Sequence, residues 1–312
     1  MACTLLPLAG TSQHYPHYTM FMFNKLIYNP AYAGSKNLTT VNAFGRKQWA
    51  GFEGAPNSVN VSIHGMVGSY MKPFRKVALG LSLNAEKIGV TKSTNIMTYY
   101  AYKIKTGKNS VLSLGLQAGV AIYNIDYNAL NPYQQNDPEL MSNVNNAPLP
   151  NFGAGAYYTG KNYYASFAIP NLLQNSYNNK SENPNVLQSK QIRTYFLSGG
   201  YVIPVSRTIK IEPQVLARYA ANSTYSLPFN ADMNMSVFFY ERYMIGATYR
   251  TDKSLEGMVY VQLTTNLYMG YSYDYTMSAL RGYNKGTHEL TVGYDFLRDR
   301  NKYINPRFIK LF

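Results

Sequence analysis

Residues 111–122 read Val111-Leu112-Ser113-Leu114-Gly115-Leu116-Gln117-Ala118-Gly119-Val120-Ala121-Ile122, and this stretch decides the fold. Leu112, Leu114, Leu116, Ala118, Val120 and Ile122 share one parity. Ser113, Gly115, Gln117, Gly119 and Ala121 share the other. A period of two is the mark of a strand with two unlike faces. The same pattern recurs along the chain. Val77, Leu79, Leu81 and Leu83 oppose Ala78, Gly80, Ser82 and Asn84. Ile209, Ile211, Val215, Ala217 and Tyr219 oppose Lys210, Glu212, Gln214 and Arg218. Leu290, Val292, Tyr294 and Phe296 oppose Thr291, Gly293 and Asp295. In a soluble sandwich the apolar face would be the core. In an outer-membrane barrel it meets lipid, and the small or polar face lines the interior.

Composition separates the two. Only 14% of the 312 residues are charged, against roughly 25% in a soluble domain. Hydrophobic residues reach 46%, yet mean hydropathy is −0.27, too low for a helical membrane protein. The chain carries 31 tyrosines, whose apolar ring and polar tip suit the aromatic girdles at a lipid–water boundary. No apolar run approaches the ~18 residues of a transmembrane helix. A chain that spans lipid without one must close its sheet, because lipid satisfies no open strand edge.

Counting alternating runs predicts an all-β, transmembrane, antiparallel outer-membrane β-barrel of about 14 strands, the even number expected of a single-chain bacterial barrel. The strands fall near 38–48, 57–68, 76–87, 93–105, 110–123, 151–159, 162–169, 192–203, 208–220, 230–239, 243–251, 256–263, 267–275 and 287–298. The connections provide an independent test. Every second one is of tight-turn length: 106–109, 160–161, 204–207, 241–242 and 264–266, with 69–75 somewhat longer. The intervening set holds the long stretches 124–150, 170–191, 221–229 and 276–286, rich in Asn, Pro, Ser and Tyr. Short periplasmic turns and long external loops alternate this way in such barrels, which places both termini on the periplasmic side. Two details strain the scheme. Pro213 removes a ladder donor inside a strand and predicts a bulge or a different boundary, and 162–169 is short for a full crossing.

The sequence offers little chemistry. Neither a catalytic nor a metal site is expected, and the reading is non-enzymatic with no cofactor. The four histidines are His14, His17, His64 and His288, and no carboxylate or cysteine joins the first two in ligand spacing. No GxSxG, HExxH, P-loop or Rossmann fingerprint is present. A hydrolase would need a nucleophile–base pair that the sequence does not offer. The net charge is +14, but its Lys and Arg are scattered, and a nucleic-acid binder would cluster them. Basic residues at turns and strand ends instead snorkel toward anionic headgroups. The lone Cys3 excludes a disulfide framework. Residues 1–13 read as a signal-peptide remnant without its basic start. Trp49, the single tryptophan, reads as an interfacial anchor.

Residues 14–37 form an aromatic segment ahead of the barrel (38–298), and 299–312 form a tail. Within the segment, residues 20–34 read MFMFNKLIYNPAYAG. Pro30 fixes its own φ and pushes Asn29 out of the helical region, and Gly34 provides a second bend. The result is a compact aromatic turn able to tuck into the barrel mouth.

Met22-Phe23-Asn24, then Tyr28-Asn29-Pro30-Ala31-Tyr32-Ala33-Gly34-Ser35, resembles the signature of the PorP/SprF family. So does the following stretch: Arg46, Gln48-Trp49, Gly51-Phe52, Gly54-Ala55-Pro56, Ser62 and His64. The resemblance implies an outer-membrane barrel of the type IX secretion system of Bacteroidetes, some of whose members are required for gliding. It implies partners among other secretion components, and a large secreted adhesin with a type IX C-terminal domain that the barrel helps to export or anchor. Partner-binding candidates are then Asn24, Tyr28, Asn29, Pro30, Ala31, Tyr32, Gly34, Arg46, Gln48, Trp49, Gly51, Gly54, Ala55, Pro56 and His64. The alternative is a passive porin or small-solute transporter, in which Lys210, Arg218 and Arg250 give a positive inner face that favours anions.

Overall fold

A computed structural model describes residues 17–36, 38–69, 75–126, 144–175, 191–221 and 229–296. The signal-like residues 1–13 with Cys3, His14, the tail 299–312 and much of the long connections lie outside the described residues.

The strands are β1 (Thr39–Lys47), β2 (Asn57–Met66), β3 (Val77–Ile88), β4 (Thr91–Gly107), β5 (Ser110–Ile125), β6 (Val144–Thr159), β7 (Tyr163–Ile169) and β8 (Arg193–Tyr201). They continue with the two-residue β9 (Ile203–Pro204), then β10 (Ile209–Ala221), β11 (Asn230–Phe239), β12 (Tyr243–Arg250), β13 (Ser254–Gln262), β14 (Leu267–Thr276) and β15 (Thr287–Phe296). Each pairs antiparallel with its sequence neighbour, except that β8 and β9 lie end to end and both pair with β10. Pairing of β1 with β15 joins the ends of the chain of strands, so the sheet closes on itself. Since β8 and β9 form one crossing, the barrel has fourteen, as the sequence predicts. Closure leaves no edge, the condition for a sheet in lipid.

The face assignment also holds. Leu79, Leu81, Leu83, Leu114, Leu116, Leu290 and Val292 are exposed on the outer wall, while Ala78, Ser82, Asn84, Ser113, Gln117, Thr291 and Asp295 are buried inside. The pairing of β8 and β9 with β10 lapses at Val202 without any change of register: Gly200 faces Gln214 and Ile203 faces Ile211. Pro213 therefore makes no bulge, contrary to the expectation. It sits beside the break in the β8 side of the ladder, where a missing N–H is least costly, and β10 runs through it unbroken. The β7 crossing is short, with seven residues, whereas β6 begins at Val144, earlier than the sequence pattern suggests.

One end of the barrel carries tight turns after β4, β6, β9, β11 and β13. The other carries the long connections, although two there are short: Gly89-Val90 between β3 and β4, with Gly89 at φ +56°, and residues 251–253 between β12 and β13. β1 begins and β15 ends at the short-turn end. Between these walls the lumen is filled by the chain's own residues 17–36. Short helical turns at Phe21–Phe23, Lys25–Tyr28 and Pro30–Tyr32 fold them compactly.

A lumenal plug and the charged belt that holds it

The plug runs from the long-loop end, where Thr19 contacts Arg46 and Glu289, to the short-turn end, where Lys36 pairs with Asp295 at 3.2 Å. Tyr18, Met20, Phe21, Leu26, Ala31 and Ala33 are all within 2% of complete burial. Each large apolar side chain removed from water contributes about 1.5–3 kcal/mol. Phe23 stacks on Tyr260 at 5.0 Å, Tyr28 leans on Phe196 at 5.2 Å, and Tyr32 meets the edges of His64 and Tyr157, each at 5.5 Å. The Lys25 ammonium lies 3.6 Å from the centre of the Tyr164 ring, a cation–π contact that offsets part of its desolvation.

The Asn29-Pro30 turn forms as its chemistry dictates. Asn29 is extended (φ −144°, ψ 113°), and its side-chain oxygen accepts from the Ala31 N–H at 2.9 Å. Its amide donates to the adjacent wall, at the Ala156 carbonyl, at 3.0 Å. Gly34 takes φ +64°, and its N–H donates to His64 Nδ1 at 3.1 Å, while Lys103 donates to its carbonyl oxygen. The wall makes room with glycine. A Cβ on Gly115 would lie 2.1 Å from the Ala31 nitrogen, and one on Gly155 would lie 2.2 Å from Asn29 Oδ1. Both glycines point inward, so this turn is seated against bare backbone.

At the long-loop end a belt of buried ions surrounds the start of the plug. Arg46 bridges Asp274 at 2.8 Å and Glu289 at 3.1 Å and donates to Thr19 Oγ1 at 2.8 Å. Thr19 in turn donates through its N–H to Glu289 and through its hydroxyl to Asp274, and the Met20 N–H donates to Glu289 at 3.0 Å. Beside this cluster Arg250 reaches both Asp232 and Glu256, and Arg218 pairs with Asp232. The positive inner face expected from Lys210, Arg218 and Arg250 is thereby corrected: Lys210 pairs with Glu241, and both arginines are matched by acids from neighbouring strands. Buried charges persist in pairs because an unpaired one costs several kcal/mol.

The family-like residues thus divide. Asn24, Tyr28, Asn29, Pro30, Ala31, Tyr32 and Gly34 belong to the plug, and Arg46 and His64 are the wall residues that hold its two ends. Gln48, Trp49, Gly51, Gly54, Ala55 and Pro56 instead build the β1–β2 connection at the long-loop end. That loop is closed by the Gln48 N–H donating to the Pro56 carbonyl at 2.9 Å, and it is tied to its neighbours through Trp49 N–H to Thr287 and Gly89 N–H to Gly54. Trp49, Gly51 and Gly54 all have positive φ (46°, 90° and 73°), which explains the two glycines. Sequence reasoning missed Gly115, Gly155, Asp274 and Glu289. Their signal was an inward parity occupied by glycine or by an acid.

Among the described residues no group of His, Cys, Asp or Glu is arranged to hold a metal ion. The geometry defines a closed transmembrane β-barrel of the outer-membrane class, stoppered by its own N-terminal segment. The family described as "Type IX secretion system membrane protein PorP/SprF" matches residues 10–294. The chain belongs to this family and is an outer-membrane component of type IX secretion. A comparison with curated proteins gives no match. Among solved structures, the Acinetobacter baumannii outer membrane protein Omp33 is 9% identical, with 83% of this chain and 98% of that chain covered and a TM-score of 0.43. The NanC porin is 9% identical, with 83% and 99% covered and a TM-score of 0.41. The KdgM porin is 10% identical, with the same coverage and a TM-score of 0.36. These likenesses are too distant to carry function.

Proposed function

We propose that this barrel is a non-enzymatic docking component that helps to secrete, or to anchor at the cell surface, a large adhesin bearing a type IX C-terminal domain, in support of gliding by a member of the Bacteroidetes. In this reading the short turns and the end of β15 face the periplasm, and the long loops face outward. The observation that carries it is the stoppered lumen. A solute channel needs open, hydrated space, whereas here aromatic side chains and matched ions occupy the bore. Family membership adds the secretion machinery as the setting. A barrel with a filled lumen acts through its loops and rim, and the β1–β2 loop, with Phe52 exposed and hydrogen bonds to Thr287 and Gly89, offers one such surface.

The test is affinity purification from detergent-solubilised outer membranes followed by mass spectrometry. A large surface protein with a secretion-type C-terminal domain is expected to accompany the barrel, and deleting the gene is expected to remove that one protein from the cell surface. A partnerless barrel, or a deletion strain with every surface protein in place, overturns the proposal.

A further inference from the structure

The outer wall at the long-loop end carries a feature that neither the plug nor the loops use. Register places Lys47 of β1 opposite Asn57 of β2, Asn57 opposite Lys87 of β3, and Lys87 opposite Lys92 of β4. On its other side Lys47 faces His288 of β15. Three lysines therefore stand in one row on the outside of four consecutive strands, at the rim. Adjacent strands are about 4.8 Å apart, so the row from β1 to β4 spans roughly 14 Å. All three are exposed, and none has an ion-pair partner among the described residues.

One step further into the bilayer, the same strands present Gly45, Val59, Ala85 and Thr94 in register. Three of these are small, whereas β15 and β14 present Leu290 and Tyr271 at the same level. The result is a hollow of about 570 Å³ beneath the lysines, with Tyr271 and Leu290 on one flank. A Cβ on Gly45 would meet nothing within 4 Å, so the hollow is real space on the lipid side. No plug residue lines it.

We infer that this is a lipid site: the row of lysines takes the phosphate of a lipid A-type glycolipid, and an acyl chain lies in the hollow at Gly45. Three unpaired ammonium groups above an apolar recess match a phosphate joined to a hydrocarbon chain. Ordinary snorkelling lysines would not need the recess. The width of the row favours a sugar headgroup over a lone phosphodiester, with Asn57 placed between lysines to meet hydroxyl groups. The choice of glycolipid rests on the orientation proposed above, in which the long-loop end meets the external leaflet.

The experiment is native mass spectrometry of the full-length barrel, purified from membranes and mixed with lipid A or with phosphatidylglycerol in detergent. The expected result is lipid A retained on the wild type in preference to phosphatidylglycerol. The Lys47→Gln/Lys87→Gln/Lys92→Gln variant should weaken retention by about a hundredfold, near fivefold per lysine. Gly45→Leu, which fills the hollow without altering charge or crowding the fold, should weaken it too. Lys108→Gln/Lys161→Gln at the opposite rim should leave retention unchanged. Equal retention of both lipids, or retention indifferent to the lysine and Gly45 variants, overturns the inference. Orientation is read separately, by labelling Phe52→Cys with a membrane-impermeant maleimide on intact cells, relative to the wild type. Labelling without lipid A retention sinks the lipid site alone; absence of labelling sinks the orientation.

Discussion

Arg46 illustrates how one residue couples barrel and plug. Its guanidinium is the shared donor for Asp274, Glu289 and Thr19, so Arg46→Met leaves two carboxylates buried together with no cation between them. Removing one partner of a buried pair typically costs about 3–5 kcal/mol. The expected outcome is loss of plug docking in a barrel that still assembles, seen as new protease cleavage near Thr19 with the heat-modifiable gel shift retained. Gly115 tests the other half of the interface. Gly115→Ala puts a methyl 2.1 Å from the Ala31 nitrogen, and neither backbone has room to yield. The turn at Pro30 should be expelled, giving conductance in a planar bilayer where the wild type is silent. Pro30→Ala and Tyr32→Ala should loosen the plug more than they impair assembly, because the wall's own ladder does not involve them. Failure of either variant to form a barrel in detergent would tell against this.

At the scale of the strand, parity is what the sequence expresses most clearly. Alternation alone puts Leu116 on the lipid face, and it is 59% exposed on the outer wall. A lysine there meets hydrocarbon, at a cost of roughly 2–4 kcal/mol near the midplane. Leu116→Lys should therefore lower the refolding free energy in lipid vesicles by that amount, and an unchanged value would reverse the face assignment. Alternation was legible because it needs only the next residue. Strand ends were less so. β6 starts at Val144 amid Asn and Pro, where pairing with β5 overrides a weak local pattern. Pro213 misled for the same reason: its cost depends on whether the neighbouring strand needs its N–H, which is a property of the pair β8–β10.

For the whole molecule, the decisive quantity is whether the bore is open. The wild type is expected to show no steady conductance, and removing the chain up to Lys36 should produce a stable pore. A pore of equal size in both would return weight to the porin reading. Local spacing in the chain is enough to specify the closed antiparallel barrel, its fourteen crossings, the two ends with unlike connections and the special character of residues 20–34. Each of these follows from spacing between near neighbours, which the period of a strand and the φ restrictions of Pro and Gly make visible. That the aromatic segment runs the length of the lumen, rather than capping its mouth, emerges from the folded barrel alone. The same holds for the arginines of the inner face, which are neutralised, and for the lysines of β1, β3 and β4, which align over a hollow. Those facts join residues such as Arg46 and Glu289 that are 243 positions apart. Such contacts are set by closure and register of the whole sheet, and no local pattern encodes them.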